Sequence, residues 1–563
     1  MAREDFGNHG RPSFSFVILA IYATILALAI PFSQSGAYLE SSPFYGSIFG
    51  AAPIALLILL ASTISTTVAF IYAKNSNSTY NSCLGILILS GAAFQILPTL
   101  KGYFLYGTAD PSNHLGTIIT ILNSGTNPSL NFYPAMHIFG AIFVQTTGFP
   151  LYYLPALLGE LLYGCYLLGS FALVPILFES SASRRICYIV IPSFALGSYL
   201  IPTYFAFALV PTILWLYLSR NKFWSIPFIV LVATLTISHP LVSLFLILAI
   251  FFWHIVSRRE LVDSRLAMMA IFWIGWMGYS LTFSSTVTAV VTRLGFGPST
   301  SSTNVQEFLS YSGPLNSIEL VARQFLPLFV IVLLELVLIM KWKKAGGSLG
   351  ILTMMLLLAL ILFPTPVLLK SLDFGTTRFL PYLQFAAIFT AGIFLAKGAL
   401  PFSRQAVIIV VIAFFVLTSA LISYSSWYTF EPSNQITRNQ FVADNWLFGY
   451  TQNNSVIGGP LFQTSDAYNL VKGEPLSITS VGLAPNPYYP FQDLHLAAHF
   501  ELTRRTANYV LVISGSSVDA YESIYANTSY NSTDFQRILS NSKLDLIYSS
   551  MDQSYLYSTS PSG

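Results

Sequence analysis

The sequence predicts an all-α polytopic membrane bundle over residues 1–428, about thirteen transmembrane helices at about 20 apolar residues each, followed by a small external α/β domain over 429–563. Three observations carry this prediction. The chain is 54% hydrophobic and only 9% charged, where soluble domains carry roughly 25% charged residues. Long apolar runs recur from the first residues onward. The charges that remain are segregated: 1–428 is net basic and 429–563 net acidic. A nucleic-acid binder would need a basic face, and nothing in the sequence supplies one.

The candidate spans are 14–32, 52–73, 83–100, 151–178, 186–203, 205–219, 223–238, 241–256, 266–284, 323–341, 348–369, 378–396 and 405–424. The run 14–32 is long enough to cross and is followed by further spans, so it reads as an uncleaved first helix. The stretch 132–148 is also apolar, and the positive-inside rule decides its treatment. With Arg3 and Arg11 cytoplasmic, alternate loops collect Lys74, Arg184, Arg185, Arg220, Lys222, Arg258, Arg259, Arg265, Lys341, Lys343, Lys344, Lys397 and Arg404 on the same side. Only Lys101, Arg293, Arg323, Lys370 and Arg378 fall opposite. This asymmetry holds only if 132–148 does not cross, so it is read as a helix lying at, or dipping into, the outer face. The prediction is therefore an integral, multi-pass cell-membrane protein with a cytoplasmic N-terminus and an external C-terminal domain.

The tail carries strand-like runs at 455–462, 509–514 and 544–548 and a helix-like stretch at 493–505. Cys83, Cys165 and Cys187 have no metal-type spacing and read as packing residues. His495 and His499 lie four apart, but Leu496 stands where a zinc protease needs glutamate. Glu160 and Glu335 fall inside spans, where a carboxyl is expensive and is expected to face the bundle interior with a partner.

The external segment 101–150 is the richest in chemistry. In ADPSNHLG, Asp110–Pro111 reads as a helix start, with Asp at the N-cap and Pro in the first turn. Asp110 and His114 then share a face at i, i+4. Asn131-Phe-Tyr-Pro-Ala-Met-His137 brings Tyr133 and His137 to the start of the dipping helix. His239-Pro240 joins two short spans on the outer side, and Arg378 opens a late span in GTTRFLPY. Taken singly, a histidine here is most often a hydrogen-bonded interfacial residue, and Tyr103, Tyr106 and Tyr133 would suit an aromatic belt. Their common assignment to one membrane face is the informative feature.

On these motifs (an early external Asp near a His, an aromatic-Pro-x-x-His segment, an outer His-Pro, a late Arg-Phe and an external C-terminal domain) the sequence resembles the GT-C superfamily of membrane glycosyltransferases, especially archaeal-type prokaryotic members. The resemblance implies an inverting enzyme of the cell envelope that moves a sugar from a polyprenyl-phosphate-linked donor to an external protein, lipid or glycan acceptor. It implies Asp110 as general base or as ligand, with His114, of a divalent cation such as Mg²⁺ or Mn²⁺. Tyr133, His137 and His239 would orient substrate, and Arg378 would meet the lipid phosphate. The alternative is a transporter or flippase of lipid-linked sugars, which Glu160 and Glu335 favour. The outer-face clustering of polar residues weighs against it, because transport sites lie near the bilayer midplane.

Overall fold

The computed structural model describes residues 18–26, 52–72, 78–100, 103–106, 110–127, 131, 133–193, 201–219, 223, 225–257, 263–281, 349–362, 385, 389, 435–437, 442–447, 456–458, 509–514, 544–549 and 554–559. Over these, the helices are α1 (18–26), α2 (Ala52–Tyr72), α3 (Ser78–Leu100), α4 (Asp110–Ser124), α5 (Pro134–Thr147), α6 (Leu154–Leu177), α7 (Ser181–Val190), α8 (Pro202–Ser219), α9 (Ser225–Ser238), α10 (Pro240–Val256), α11 (Ser264–Leu281), α12 (Leu349–Leu362) and α13 (442–447). The strands are β1 (Tyr103–Tyr106), β2 (Gln435–Thr437), β3 (Val456–Gly458), β4 (Tyr509–Ser514), β5 (Leu544–Ser549) and β6 (Ser554–Thr559). The expected spans 323–341, 378–396 and 405–424 lie wholly or almost wholly outside the described residues.

Among the described residues, α6 and α8 are long and apolar enough to cross a membrane, and the segments Leu60–Tyr72, Ser225–Ser238, Pro240–Val256 and Gly350–Ala359 are shorter apolar helices. α6 and α8 form the centre of the bundle. Their approach depends on Gly169: a Cβ there would lie 2.7 Å from the backbone N and 3.1 Å from the Cα of Thr212. Small residues at such crossings let backbones close together where no hydrophobic driving force separates helix from lipid. Gly169→Leu is expected to force the two helices apart at a cost of about 1–3 kcal/mol, read as a lower thermal midpoint of the detergent-solubilised protein.

One expected span is corrected. Residues 186–203 do not form a continuous helix: α7 ends at Val190 and passes into a 3₁₀ turn over Ile191–Ser193. Pro192 breaks it, having no N–H to continue the ladder and a ring that clashes with the preceding turn. The segment retraces α6. The Arg184 Nε–H donates to the Phe178 carbonyl at 2.7 Å, the Phe171 and Tyr188 rings meet at 5.2 Å, and the Tyr163 hydroxyl donates to the Pro192 carbonyl at 3.0 Å. The chain thus climbs from the C-terminal end of α6 to about its midpoint. The Tyr163 hydroxyl satisfies a carbonyl at the break, as membrane-depth irregularity requires.

The two ends of the bundle differ chemically. At one end, Arg184 meets a carbonyl at the end of α6, and the Arg265 Nη1 donates to the Leu216 and Tyr217 carbonyls of α8 at 2.7 and 2.9 Å. The Tyr80 hydroxyl donates to the Arg185 carbonyl at 2.8 Å, and the Tyr217 hydroxyl and His254 Nε2 are 2.8 Å apart. Cations at helix C-termini satisfy orphan carbonyls and complement the macrodipole. This is the end expected to be cytoplasmic from the charge count. The opposite end gathers the start of α5, the α9–α10 junction and the start of α8, where Phe139 and Phe205 rings lie 5.8 Å apart.

α5 is the dipping helix of the sequence reading. Its 14 residues extend about 21 Å at 1.5 Å per residue, the same length as α9. Ile138, Phe139 and Ile142 are exposed on it, while Gly140 faces Ile118 of α4.

In the tail, β3, β4, β6 and β5 form a four-stranded mixed sheet in that order, β3–β4 parallel and the other pairs antiparallel. The strand expected over 455–462 is described only as Val456–Gly458, the runs at 509–514 and 544–548 are strands, and β6 was not anticipated. The helix-like stretch 493–505 lies outside the described residues. A second, two-stranded sheet crosses the expected boundary between the two parts. β1 pairs antiparallel with β2, with Tyr103 opposite Thr437 and Tyr106 opposite Gln435.

Candidate functional site

The site is assembled from three places in the chain. Asp110 is the first residue of α4, and its side chain lies outside the described residues. His114 follows one turn later. α5 starts at Pro134 with Tyr133 as its N-cap, because proline is preorganised for the first turn and donates no N–H. That start directs His137 back towards α4: His114 Nδ1 and His137 Nε2 are 2.9 Å apart. On the other side of His137, its Nδ1 lies 2.8 Å from Asn131 Nδ2. The same Asn131 NH₂ donates to Asn127 Oδ1 at 2.8 Å, while Asn131 Oδ1 accepts the Tyr133 backbone N–H at 3.1 Å.

The third contribution is the α9–α10 junction, a single residue long. His239 caps α10, its Nδ1 accepting the Val242 N–H at 3.4 Å, ahead of Pro240 at the first helical position. The Trp273 indole N–H of α11 fixes this corner by donating to the Pro240 carbonyl at 2.9 Å. The His239 ring lies parallel to that of Tyr133, centroids 5.1 Å apart and planes within 9°. His114, Tyr133, His137 and His239 therefore form one aromatic–imidazole cluster, with His137 and His239 buried.

Burial governs the charge of the imidazoles. Desolvation, with the His239 charge second, lowers His114 to about 4. Desolvation also lowers His137 to about 3, helped by His114 and opposed by the Tyr133 carbonyl, which favours the protonated ring. Both are neutral at pH 7.

The other sequence-predicted residues fare differently. Arg378, Glu335, His495 and His499 lie outside the described residues. Glu160 is in α6, and its Oε1 is buried with no hydrogen-bond partner, where a partner was expected. Tyr163, on which the Glu160 charge acts, donates instead to the Pro192 carbonyl. Sequence reasoning missed the Asn127–Asn131 pair. Its spacing of four residues just before Tyr-Pro is the available signal, since Asn side chains favour turns and helix starts. It also missed Asp444 in α13, a carboxyl pushed up to about 8 by burial, and the β1–β2 pairing beside α4.

A divalent cation, as the resemblance implies, needs lone pairs aimed at one point. Among the described residues no three His, Cys, Asp or Glu side chains come together as a ligand set. Both His137 nitrogens and His114 Nδ1 are already engaged by neighbours. That leaves His114 Nε2, with Asp110 whose side chain lies outside the described residues, as the atoms the resemblance would assign to a cation, and no step is derived through one.

No family model matches the chain, and no curated protein matches it. Solved structures do. The chain is similar to the oligosaccharyltransferase of Archaeoglobus fulgidus at 10% identity and a TM-score of 0.43, covering 84% of this chain and 74% of that one. It is similar to ArnT from Cupriavidus metallidurans at 10% identity and a TM-score of 0.46, covering 85% and 98%. It is also similar to the arabinofuranosyltransferase AftD from Mycobacteria at 13% identity and a TM-score of 0.45, spanning 84% of this chain and only 40% of that one.

Proposed function

We propose that this protein is a membrane glycosyltransferase that moves a sugar from a polyprenyl-phosphate-linked donor to an acceptor on the external face of the cell membrane, with inversion at the anomeric carbon. The observation that carries the reading is the convergence of His114, Tyr133, His137 and His239 from α4, α5 and the α9–α10 junction, one turn from Asp110 on α4.

Asp110 acts as general base. Its carboxylate takes the proton of an acceptor hydroxyl as that oxygen attacks the anomeric carbon from the face opposite the phosphate. The bond from that carbon to the phosphate oxygen breaks, and the lipid phosphate leaves with the electron pair. Arg378 meets the departing phosphate, because a guanidinium fork matches phosphate oxygens. Tyr133, its ring held parallel to His239, offers an aromatic face on which a sugar ring can rest.

The test is a transfer assay with purified protein in liposomes, supplied with a polyprenyl-phosphate sugar and with hydroxyl acceptors of the protein, lipid and glycan classes. A covalent product on one acceptor, with inverted anomeric configuration, is expected. The buried, unpartnered Glu160 Oε1 gives the transporter reading its one specific observation. Movement of the lipid-linked sugar across the bilayer with no covalent product would replace the first reading by that one.

A further inference from the structure

The proton order in the histidine cluster follows from one fixed donor. The Tyr133 backbone N–H donates whatever the side chains do, and it lies 3.1 Å from Asn131 Oδ1. This contact orients the amide, so the Asn131 NH₂ faces both Asn127 Oδ1 and His137 Nδ1, each at 2.8 Å. An amide NH₂ has no lone pair to accept with. His137 Nδ1 must therefore accept, and a neutral His137 carries its proton on Nε2. That nitrogen lies 2.9 Å from His114 Nδ1, so His137 donates and His114 Nδ1 accepts. The remaining proton of a neutral His114 then sits on Nε2. The Tyr133 carbonyl competes for a proton on His137, but the Nδ1 position is already met by the Asn131 NH₂. Burial, which keeps both rings neutral at pH 7, agrees with this order.

We propose that Asn131 is a positioning residue: held by the Tyr133 backbone, it sets the proton order along His137 and His114, so that His114 meets its ligand as an N–H donor through Nε2 and receives an anionic phosphate oxygen rather than a divalent cation. The identity of that oxygen as the donor lipid's phosphate rests on the function proposed above; the proton order rests on the geometry alone. His114 thereby differs from the cation-ligand role that the sequence resemblance implies for it. A proton on Nε2 leaves that nitrogen no lone pair for a metal.

The experiment uses the full chain in lipid nanodiscs with ¹⁵N-labelled histidine. The chain has seven histidines, and His114→Gln and His137→Gln assign the two that matter. At pH 7 both rings are expected to be protonated at Nε2 only. A proton on Nδ1 of either ring, or a doubly protonated ring, overturns the proposal. Asn131→Leu is expected to turn the single tautomer of His137 into a mixture; an unchanged tautomer there also overturns it. Three probes follow: undecaprenyl phosphate in the bilayer, inorganic phosphate, and Mg²⁺ alone. Undecaprenyl phosphate is expected to shift the His114 Nε2 signal with its proton retained. The same shift with inorganic phosphate supports donation to a headgroup without the lipid. No shift with either phosphate, or loss of the proton on adding Mg²⁺, overturns the proposal.

Kinetics supply a second readout. His114→Gln, whose amide NH₂ replaces the Nε2 donor, should lose about tenfold in turnover, and His114→Glu, which offers only acceptors, about 10²–10³-fold, the usual loss on removing one donor to developing charge. The reverse order overturns the proposal. If the wild-type protein transfers no sugar, the glycosyltransferase reading fails while the tautomer measurements still decide this one.

Discussion

Asp110→Asn is expected to lower sugar transfer by about 10²–10⁴-fold, the usual contribution of a positioned general base, while the protein inserts and unfolds as the wild type does. The substitution isolates the charge unusually well. Asp110 is the first residue of α4, and Asn is as good as Asp at helix starts, so the helix that carries His114 should begin where it does now. The variant keeps the size and shape of the side chain and loses the capacity to take a proton. A transfer assay beside a thermal melt checks this. Turnover within a few-fold of the wild type would remove Asp110 from the chemistry and, with it, the central step of the proposed reaction.

The second large effect is on stability in acid. Unfolded imidazoles take up a proton below about 6.5, whereas folding holds His114 and His137 neutral down to about 4 and about 3. Between these limits the opened form binds more protons than the native form, so the native cluster loses stability as pH falls. Its stability is complete above pH 6.5 and declines towards pH 3, by several kcal/mol for the pair as an order of magnitude. Hydrogen exchange followed from pH 7 to pH 4, corrected for intrinsic rates, should show α4 and α5 opening first, with α6 and α8 still protected. A cluster that becomes better protected in acid would mean that the rings are charged in the native state.

Much of the bundle was legible because hydropathy and charge asymmetry are one-dimensional signals. The runs that became α2, α6, α8, α9, α10 and α11 needed only length and apolarity, and the run that became α5 was set apart from them, as a helix expected not to cross, by the distribution of Arg and Lys. The run 186–203 was misread for the same reason: hydropathy is blind to a break, and Pro192 was the residue to heed. In the site, the residue types of His114, Tyr133, His137 and His239 pointed to one membrane face, and the structure brings these four together. Their proton order was invisible, since it depends on a backbone N–H meeting one oxygen of Asn131. The buried Glu160 carboxyl shows the converse limit, because composition says that an intramembrane carboxyl is expensive without saying whether its surroundings answer it.

The short ladder between β1 and β2 bears on how this molecule could be rebuilt. Residues 435–437 belong to the tail by sequence, yet their hydrogen-bonding partner precedes Asp110 by only a few residues. A chimera that borrowed a foreign tail from residue 429 onward would strip β1 of its neighbour and leave a bare strand edge, the kind of surface that recruits other chains. Graftable tails should therefore begin after Thr437, so that the native chain keeps its own clasp on the loop leading to Asp110.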